Sequence, residues 1–415
     1  MRHRDFIQNI TITLLTLSAV FLFSRTQFFQ LGAAAGSGYW QHLTAPIGSG
    51  ETDTALSDRL LAPVRLAVSG EYGRYGSVSL TTGGEEFTPV KTLLREVIGS
   101  ARSLSDSSWA VFRAALETPS VYCDFLSALP VEYLSDLMGA ETDLSLTVRG
   151  LAAAEQGEQV ILLLWDGGSR YYQCATAVQR SALQEVLEQF DFGVSTFAFE
   201  EEAGQHLAPL SLFPDPLPEL PQLTAGDAAV STETLLTALG FNPHTNSRYV
   251  DSGGAEVIVE GDRVIRLGSS GALSYSSGGE AALTVEGSGT VPSASEAVSG
   301  ALALLELLLP EGGETTLYLS AFRRTESETH LTFSYQFNGV PIHFADGSAA
   351  AEIILTGNII STLSLRPMLY LEDGSSALLP LRQAMAIAER QDGAELSIGY
   401  ADAGTYPLSA VWLAD

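Results

Sequence analysis

Side-chain catalysis needs a nucleophile beside a base, paired carboxylates, or converging metal ligands, and this chain offers few such residues at usable spacing. The most suggestive pair is His343 in VPIHFADG with Asp346 three residues on. A lone His beside a turn, however, is far more often a strand or surface residue than a base. His206, His244, His330 and His343 share no ligand spacing, whereas zinc wants three or four converging ligands. Lys91 is the sole lysine, and Thr88 stands where a Ser-x-x-Lys nucleophile needs serine. There is no Gly-x-Ser-x-Gly elbow, Walker loop, His-Glu-x-x-His or Cys-x-x-Cys. GGSRYY and EGSGTV read as glycine turns, because neither follows a strand and opens a helix as a phosphate cradle must. Among 49 acidic residues some carboxylates must be neighbours, but none can be argued as a glycosidase pair. No catalytic residue, metal ligand or cofactor is assigned, and the expectation is a protein that is not an enzyme.

Composition narrows the class. At 415 residues with 46% hydrophobic and 17% charged residues, the chain is long enough for two or more globular cores. Its formal net charge of −28 excludes the basic footprint that nucleic acid demands and argues against electrostatic adhesion to anionic lipid. Cys123 and Cys174 are the only cysteines, too few for a disulfide scaffold; two buried thiols are expected, with one bridge as the alternative.

The N-terminus points to a compartment. Residues 6–24 include the uncharged run FIQNITITLLTLSAVFLF, about long enough for a ~30 Å hydrocarbon core. Arg2 and Arg4 precede it, whereas Arg25 is followed by no basic residue before Arg59. The positive-inside bias makes residues 1–5 a cytoplasmic stub, 6–24 a single transmembrane anchor, and the remainder extracellular. The alternative is a cleaved signal peptide with a small-residue site at Ala33, Ala34 and Ala35, although SRTQFFQLG is a long spacer for one. On a helix Asn9, Thr13 and Thr16 recur at i, i+4 and i+7, a polar stripe suited to contact with another membrane helix.

Beyond a Gly/Ala/Ser-rich spacer at 25–59, the pattern is mixed. TPVKTLLREVIG reads as a helix capped by Thr88, with Val90, Leu93, Leu94 and Val97 on one face and Gly99 at its end. EQVILLLWDGGSRYYQCATAV reads as two strands, followed by a helix with a Ser181/Gln184 capping box. These form a first α+β domain over 60–203. The Pro-rich stretch 204–226, which opens with GQHLAPLSLFPDPLPELPQL, is expected to be an extended linker. A second α+β domain, 227–415, contains a helix opened by a Ser293/Glu296 capping box and then a meander of antiparallel strands. Within that meander LTFSYQFNGVPIHF is a hairpin turning at Asn338-Gly339. A last helix runs from Pro380 and stops at Gly393.

The stretches LLTALGFNPHTNSRYVDSGGAEVIVEGDRVIRLGSSGALSY, FSYQFNGVPIHF and IILTGNIISTLSLRP, together with the order of parts, resemble the YycH regulatory family of Gram-positive bacteria. The second domain of that family is related to the companion YycI family. The resemblance implies a regulator without catalytic residues that associates with the membrane sensor histidine kinase (WalK/YycG) of a cell-wall-controlling two-component system, with a YycI-like companion as a further partner. Two other classes stay open: a PepSY-like envelope binding or inhibitory module, and a cell-envelope hydrolase.

Overall fold

The computed structural model describes residues 62–414, apart from 71–74, 245, 279–282, 288, 311–314 and 390–392. The proposed anchor at 6–24, with Asn9, Thr13 and Thr16, lies outside the described residues. Among the described residues no helix is long and apolar enough to cross a membrane.

The architecture is α+β, built on two large sheets. Nine strands form the first: β1 (Pro63–Ser69), β2 (Tyr75–Thr81), β3 (Arg102–Ser107), β4 (Ser120–Pro130), β5 (Thr147–Gln156), β6 (Gln159–Trp165), β7 (Tyr171–Gln179), β8 (Ser195–Phe197) and β9 (Leu212–Pro214). Their order is β3-β7-β6-β5-β4-β1-β2-β8-β9, with every neighbour antiparallel. Four helices accompany it: α1 (Thr88–Ser100), α2 (Trp109–Leu116), α3 (Val131–Met138) and α4 (Arg180–Leu187). The central strands are near-continuous apolar runs because both faces are covered. Helices α1, α3 and α4 pack on one face, and α2 packs on the other with an aromatic cluster of Tyr75, Phe112, Tyr122 and Phe197.

The Pro-rich segment is not structureless. After β9 it forms β10 (Pro221–Ala225), which pairs with β20 (Tyr370–Ser375) in a two-stranded sheet. Prolines are tolerated in β9 and β10 because each strand lies at a sheet margin, where a missing N–H breaks no ladder.

The second sheet comprises β11 (Ser247–Val250), β12 (Glu256–Glu260), β13 (Arg263–Leu267), β14 (Leu273–Ser277), β15 (Thr316–Arg324), β16 (Glu328–Phe337), β17 (Val340–Phe344), β18 (Ala351–Thr356), β19 (Ile359–Leu365), β21 (Leu396–Asp402) and β22 (Ala410–Ala414). It is antiparallel except that β17 and β21 run parallel, so the sheet is mixed. Helices α5 (Thr232–Ala238), α6 (Ala294–Leu308) and α7 (Leu381–Ala388) complete the chain. Helix α6 buries Val298, Leu304, Leu305 and Leu308 among others and opens with the expected Ser293/Glu296 capping box, both reciprocal bonds being made.

Two helix starts differ from expectation. A short 3₁₀ turn, Glu85–Phe87, runs directly into α1, so Phe87 occupies the cap and Thr88 is already helical; Gly99 lies inside the helix rather than ending it. Helix α4 begins one residue before Ser181, at Arg180, with Gln179 as its cap and no side-chain capping bond. With its amide turned so that the oxygen faces Arg180, Gln184 accepts from Arg180 Nε at 2.8 Å and takes no part in a capping box. The remaining apolar faces are as expected, with Val90, Leu93, Leu94 and Val97 all buried under α1.

Cys123 on β4 and Cys174 on β7 are buried and unbridged, with β5 and β6 between their strands. Burial pushes both thiols above their usual range, and the Asp124 carboxylate adds to this at Cys123.

Candidate functional site

Charged residues interrupting apolar strands mark the place where the two sheets meet. Arg65 lies within PVRLAVS of β1, Asp124 within SVYCDFLSALP of β4, and Arg149 within TVRGLAAAEQ of β5. Pairing places Arg65 opposite Asp124 on adjacent strands, and Gly150 opposite Asp124 on the other side. The fourth member, Glu395, comes from the far end of the chain, one residue before β21.

Together they form a closed ionic quartet. Arg65 Nη2 donates to Asp124 Oδ2 at 2.5 Å and also to Glu395. Arg149 donates from Nε to Asp124 Oδ1 at 3.0 Å and from Nη1 to Glu395 Oε2 at 2.6 Å. Two guanidinium groups thus face two carboxylates, and the formal charge cancels. Asp124 also accepts from the Leu126 backbone N–H at 2.8 Å. That bond braces a β4 bulge in which Leu126 adopts φ +64°, a left-handed conformation costly for a large residue.

Burial alone would push Asp124 upward, but the Arg149 and Arg65 guanidinium groups beside it prevail and hold it at about 2. Glu395 is lowered as well, again against burial, chiefly by Arg65. Arg149 is further sandwiched by the Trp165 ring, whose centroid is 5.4 Å from its guanidinium carbon. Each carboxylate is thus ionised and fully engaged, which suits fastening rather than proton transfer.

Other contacts extend the junction. At the Asn338-Gly339 turn both residues have positive φ, +45° and +83°, as a two-residue hairpin requires. The turn sits on β2 so closely that a Cβ on Gly339 would lie 2.7 Å from the Leu80 carbonyl oxygen. The conspicuous hairpin is therefore a wedge between the halves. Ser127 Oγ donates to the Leu319 carbonyl at 3.3 Å, Ala208 N–H to the Ala394 carbonyl at 2.8 Å, and Gly393 N–H to the His206 carbonyl at 2.7 Å. A small apolar cluster of Leu207, Phe213, Ala384, Met385 and Leu396 closes the same seam.

The expected chemical candidates do not converge. His343 is exposed on β17, while Asp346 is bonded to Ser348 and, at 3.1 Å, to Arg366. His330 meets only Glu328, on the surface. Among the described residues no group of three or more His, Cys, Asp or Glu could hold a metal ion. A second buried acid, Asp402, accepts from Tyr370 Oη at 2.6 Å and Tyr406 Oη at 2.9 Å, raising both phenols through burial and that bond. Glu200 is raised by burial and accepts from Tyr75 Oη at 2.9 Å.

The quartet was not singled out from sequence, although a signal existed in each lone charge inside an apolar strand run. What local pattern could not supply was the pairing of Arg65 with Glu395 across most of the chain.

No family model and no curated protein matches this chain. Among solved structures, the crystal structure of YycH from Bacillus subtilis superposes with a TM-score of 0.52 at 11% sequence identity, covering 88% of this chain and 95% of that one. A match that extends over both sheets at so low an identity is one of fold: the chain has the architecture of YycH.

Proposed function

We propose that this chain is a membrane-anchored extracytoplasmic regulator that associates with the sensor histidine kinase of a cell-wall-controlling two-component system and modulates its activity. The observation that supports this most is the YycH-like fold along nearly the whole chain. The two carboxylates at the sheet junction are both held by the arginines, although Arg65 Nε and Nη1 are buried without a partner, and this pairing fits a scaffold that presents surfaces better than a site of turnover. In this reading residues 1–5 are cytoplasmic, 6–24 span the membrane, 25–59 are a spacer, and the domains at 60–203 and 227–415, joined by 204–226, lie outside. A YycI-like companion is a second partner.

Only the anchor reaches the depth of the kinase's own membrane helices, so coupling runs through it, with the exterior domains as a second contact. Each interhelical hydrogen bond from Asn9, Thr13 or Thr16 is worth roughly 0.6 to 2 kcal/mol, enough to bias association. The triple variant Asn9→Leu, Thr13→Leu, Thr16→Leu should insert normally yet recover several-fold less kinase on co-purification from detergent extracts. Undiminished recovery would place the contact elsewhere and remove the anchor from the mechanism.

A further inference from the structure

Edge strands of a sheet are normally blunted by bulges, prolines, free charges or covering chain, and one terminal strand of this protein has none of these. In the first sheet β3 carries a register shift between Arg102 and Ser105 with Ser103 at φ +58°, and β9 is a short strand that ends in Pro214. At one end of the second sheet β22 is covered: its Ala410 N–H donates to Ser376 Oγ at 2.9 Å and the Trp412 indole to the Leu379 carbonyl at 2.9 Å. At the other end β11, Ser-Arg-Tyr-Val, pairs with β12 without a shift and carries no proline. Its single charge is tied back, Arg248 Nε donating to Asn246 Oδ1 at 2.8 Å and Nη2 to the Pro243 carbonyl at 3.1 Å.

The outer side of β11 is open. All four of its residues are exposed, Val250 to 68% and Tyr249 to 56%, which a chain lying alongside would not allow. The strand stands last in the sheet order, with β12 as its neighbour on the inner side. The Asp251 N–H donates to the Ala255 carbonyl, towards β12, so odd-numbered residues face inward and Arg248 and Val250 direct their N–H and C=O groups outward. Among the described residues those outward groups have no backbone partner.

This edge is complementary to itself. Antiparallel pairing about a two-fold axis at Tyr249 sets Arg248 of each copy opposite Val250 of the other, so that both outward residues of both copies are bonded. Tyr249 then faces Tyr249 of the second copy in the closely spaced, non-hydrogen-bonded position, where an aromatic pair stabilises a sheet. An axis at Arg248 would oppose two guanidinium groups, and an axis at Val250 would set Arg248 against Ser252, beyond the end of the strand.

The geometry points to a homodimer in which β11 of two copies of this chain pairs antiparallel about a two-fold axis at Tyr249, joining their second sheets into one. Four residues a side make a small contact, and two chains of net charge −28 repel, so the dimer is weak in dilute solution and strengthens with added salt. Copies held in one membrane, as the anchor reading requires, meet at a higher effective concentration. The pairing itself depends on neither the anchor nor the kinase.

The test is oxidative cross-linking of the full chain in detergent, with Tyr249→Cys as the probe. On the axis the two Cα atoms stand about 4.5 Å apart, within the span of a disulfide. The native Cys123 and Cys174 are buried, so the wild type is the blank. Covalent dimer should form at least about tenfold faster than with Ser247→Cys, whose copies lie roughly 13 Å apart in this register. It should exceed by as much the rate with Leu307→Cys, an exposed position on α6 that reports chance encounters in a shared micelle. Adding Val250→Pro to Tyr249→Cys removes an outward donor without touching the β12 ladder and should return the rate to the Leu307→Cys level. Equal rates at the three positions would leave the edge to a foreign strand and overturn the dimer. So would a Tyr249→Cys rate unaffected by a folded Val250→Pro variant, or fastest linkage through Ser247→Cys, which would place the copies in another register. If Val250→Pro fails to fold, the ratio of Tyr249→Cys to Ser247→Cys decides alone.

Discussion

Gly339→Val is expected to destabilise the protein by about 3 to 5 kcal/mol, lowering Tm by roughly 6 to 12 °C. Two costs add. A β-branched residue at φ +83° pays for a left-handed backbone, on the order of 1 to 2 kcal/mol. Its Cβ would also stand 2.7 Å from the Leu80 carbonyl oxygen and 2.9 Å from the carbonyl carbon, backbone atoms of a paired strand that cannot swing aside. Gly347→Val separates the two. Gly347 has nearly the same backbone, φ +73°, but nothing lies within 4 Å of its added Cβ. It should lose only the conformational part, and calorimetry of the two variants side by side reads the difference as the hairpin's contact with the first sheet. Equal losses would mean that the turn does not wedge against β2.

Asp124→Asn is expected to cost about 3 to 5 kcal/mol at pH 7, because it leaves Arg65 and Arg149 buried against Glu395 alone. The pH dependence follows from the direction of the shift. Asp124 sits at about 2 in the folded protein and near 3.9 in an unfolded chain, so its contribution is fully present above about pH 4 and is lost as pH falls through about 2. Over that window the wild type should lose on the order of 2 kcal/mol from this group, with Glu395 adding in the same direction. The variant lacks the Asp124 part, so urea unfolding at pH 7, 4 and 2.5 should show the two proteins converging as acid is added. A gap that stays constant from pH 7 to 2.5 would show that Asp124 is not held ionised by its arginines.

Much of the fold was legible because its signals are local. Period-two alternation in β16 and β17, two positive-φ residues at Asn338-Gly339, and the reciprocal Ser293/Glu296 bonds all lie within a few residues of one another. Helix starts were less secure: Thr88 and Ser181 are good caps in isolation, but a preceding 3₁₀ turn and a competing Arg180–Gln184 contact displaced them. The parallel pairing of β17 with β21 left no trace, since an Ile342–Tyr400 register is fixed by the intervening chain and not by either strand. The junction was illegible for the same reason. Arg65 and Glu395 are separated by 330 positions, and each reads alone as an ordinary charge. His343 and Asp346, close in sequence, are drawn to different surroundings by β17's pleat and by Arg366.

The regulatory reading stands or falls on the kinase. Autophosphorylation of the sensor kinase, co-reconstituted in vesicles with this full chain, should differ several-fold from that of the kinase alone. Swapping residues 6–24 for an unrelated anchor should reduce the difference. An unchanged rate in vesicles that demonstrably hold both proteins would contradict the assignment, whatever the likeness of fold.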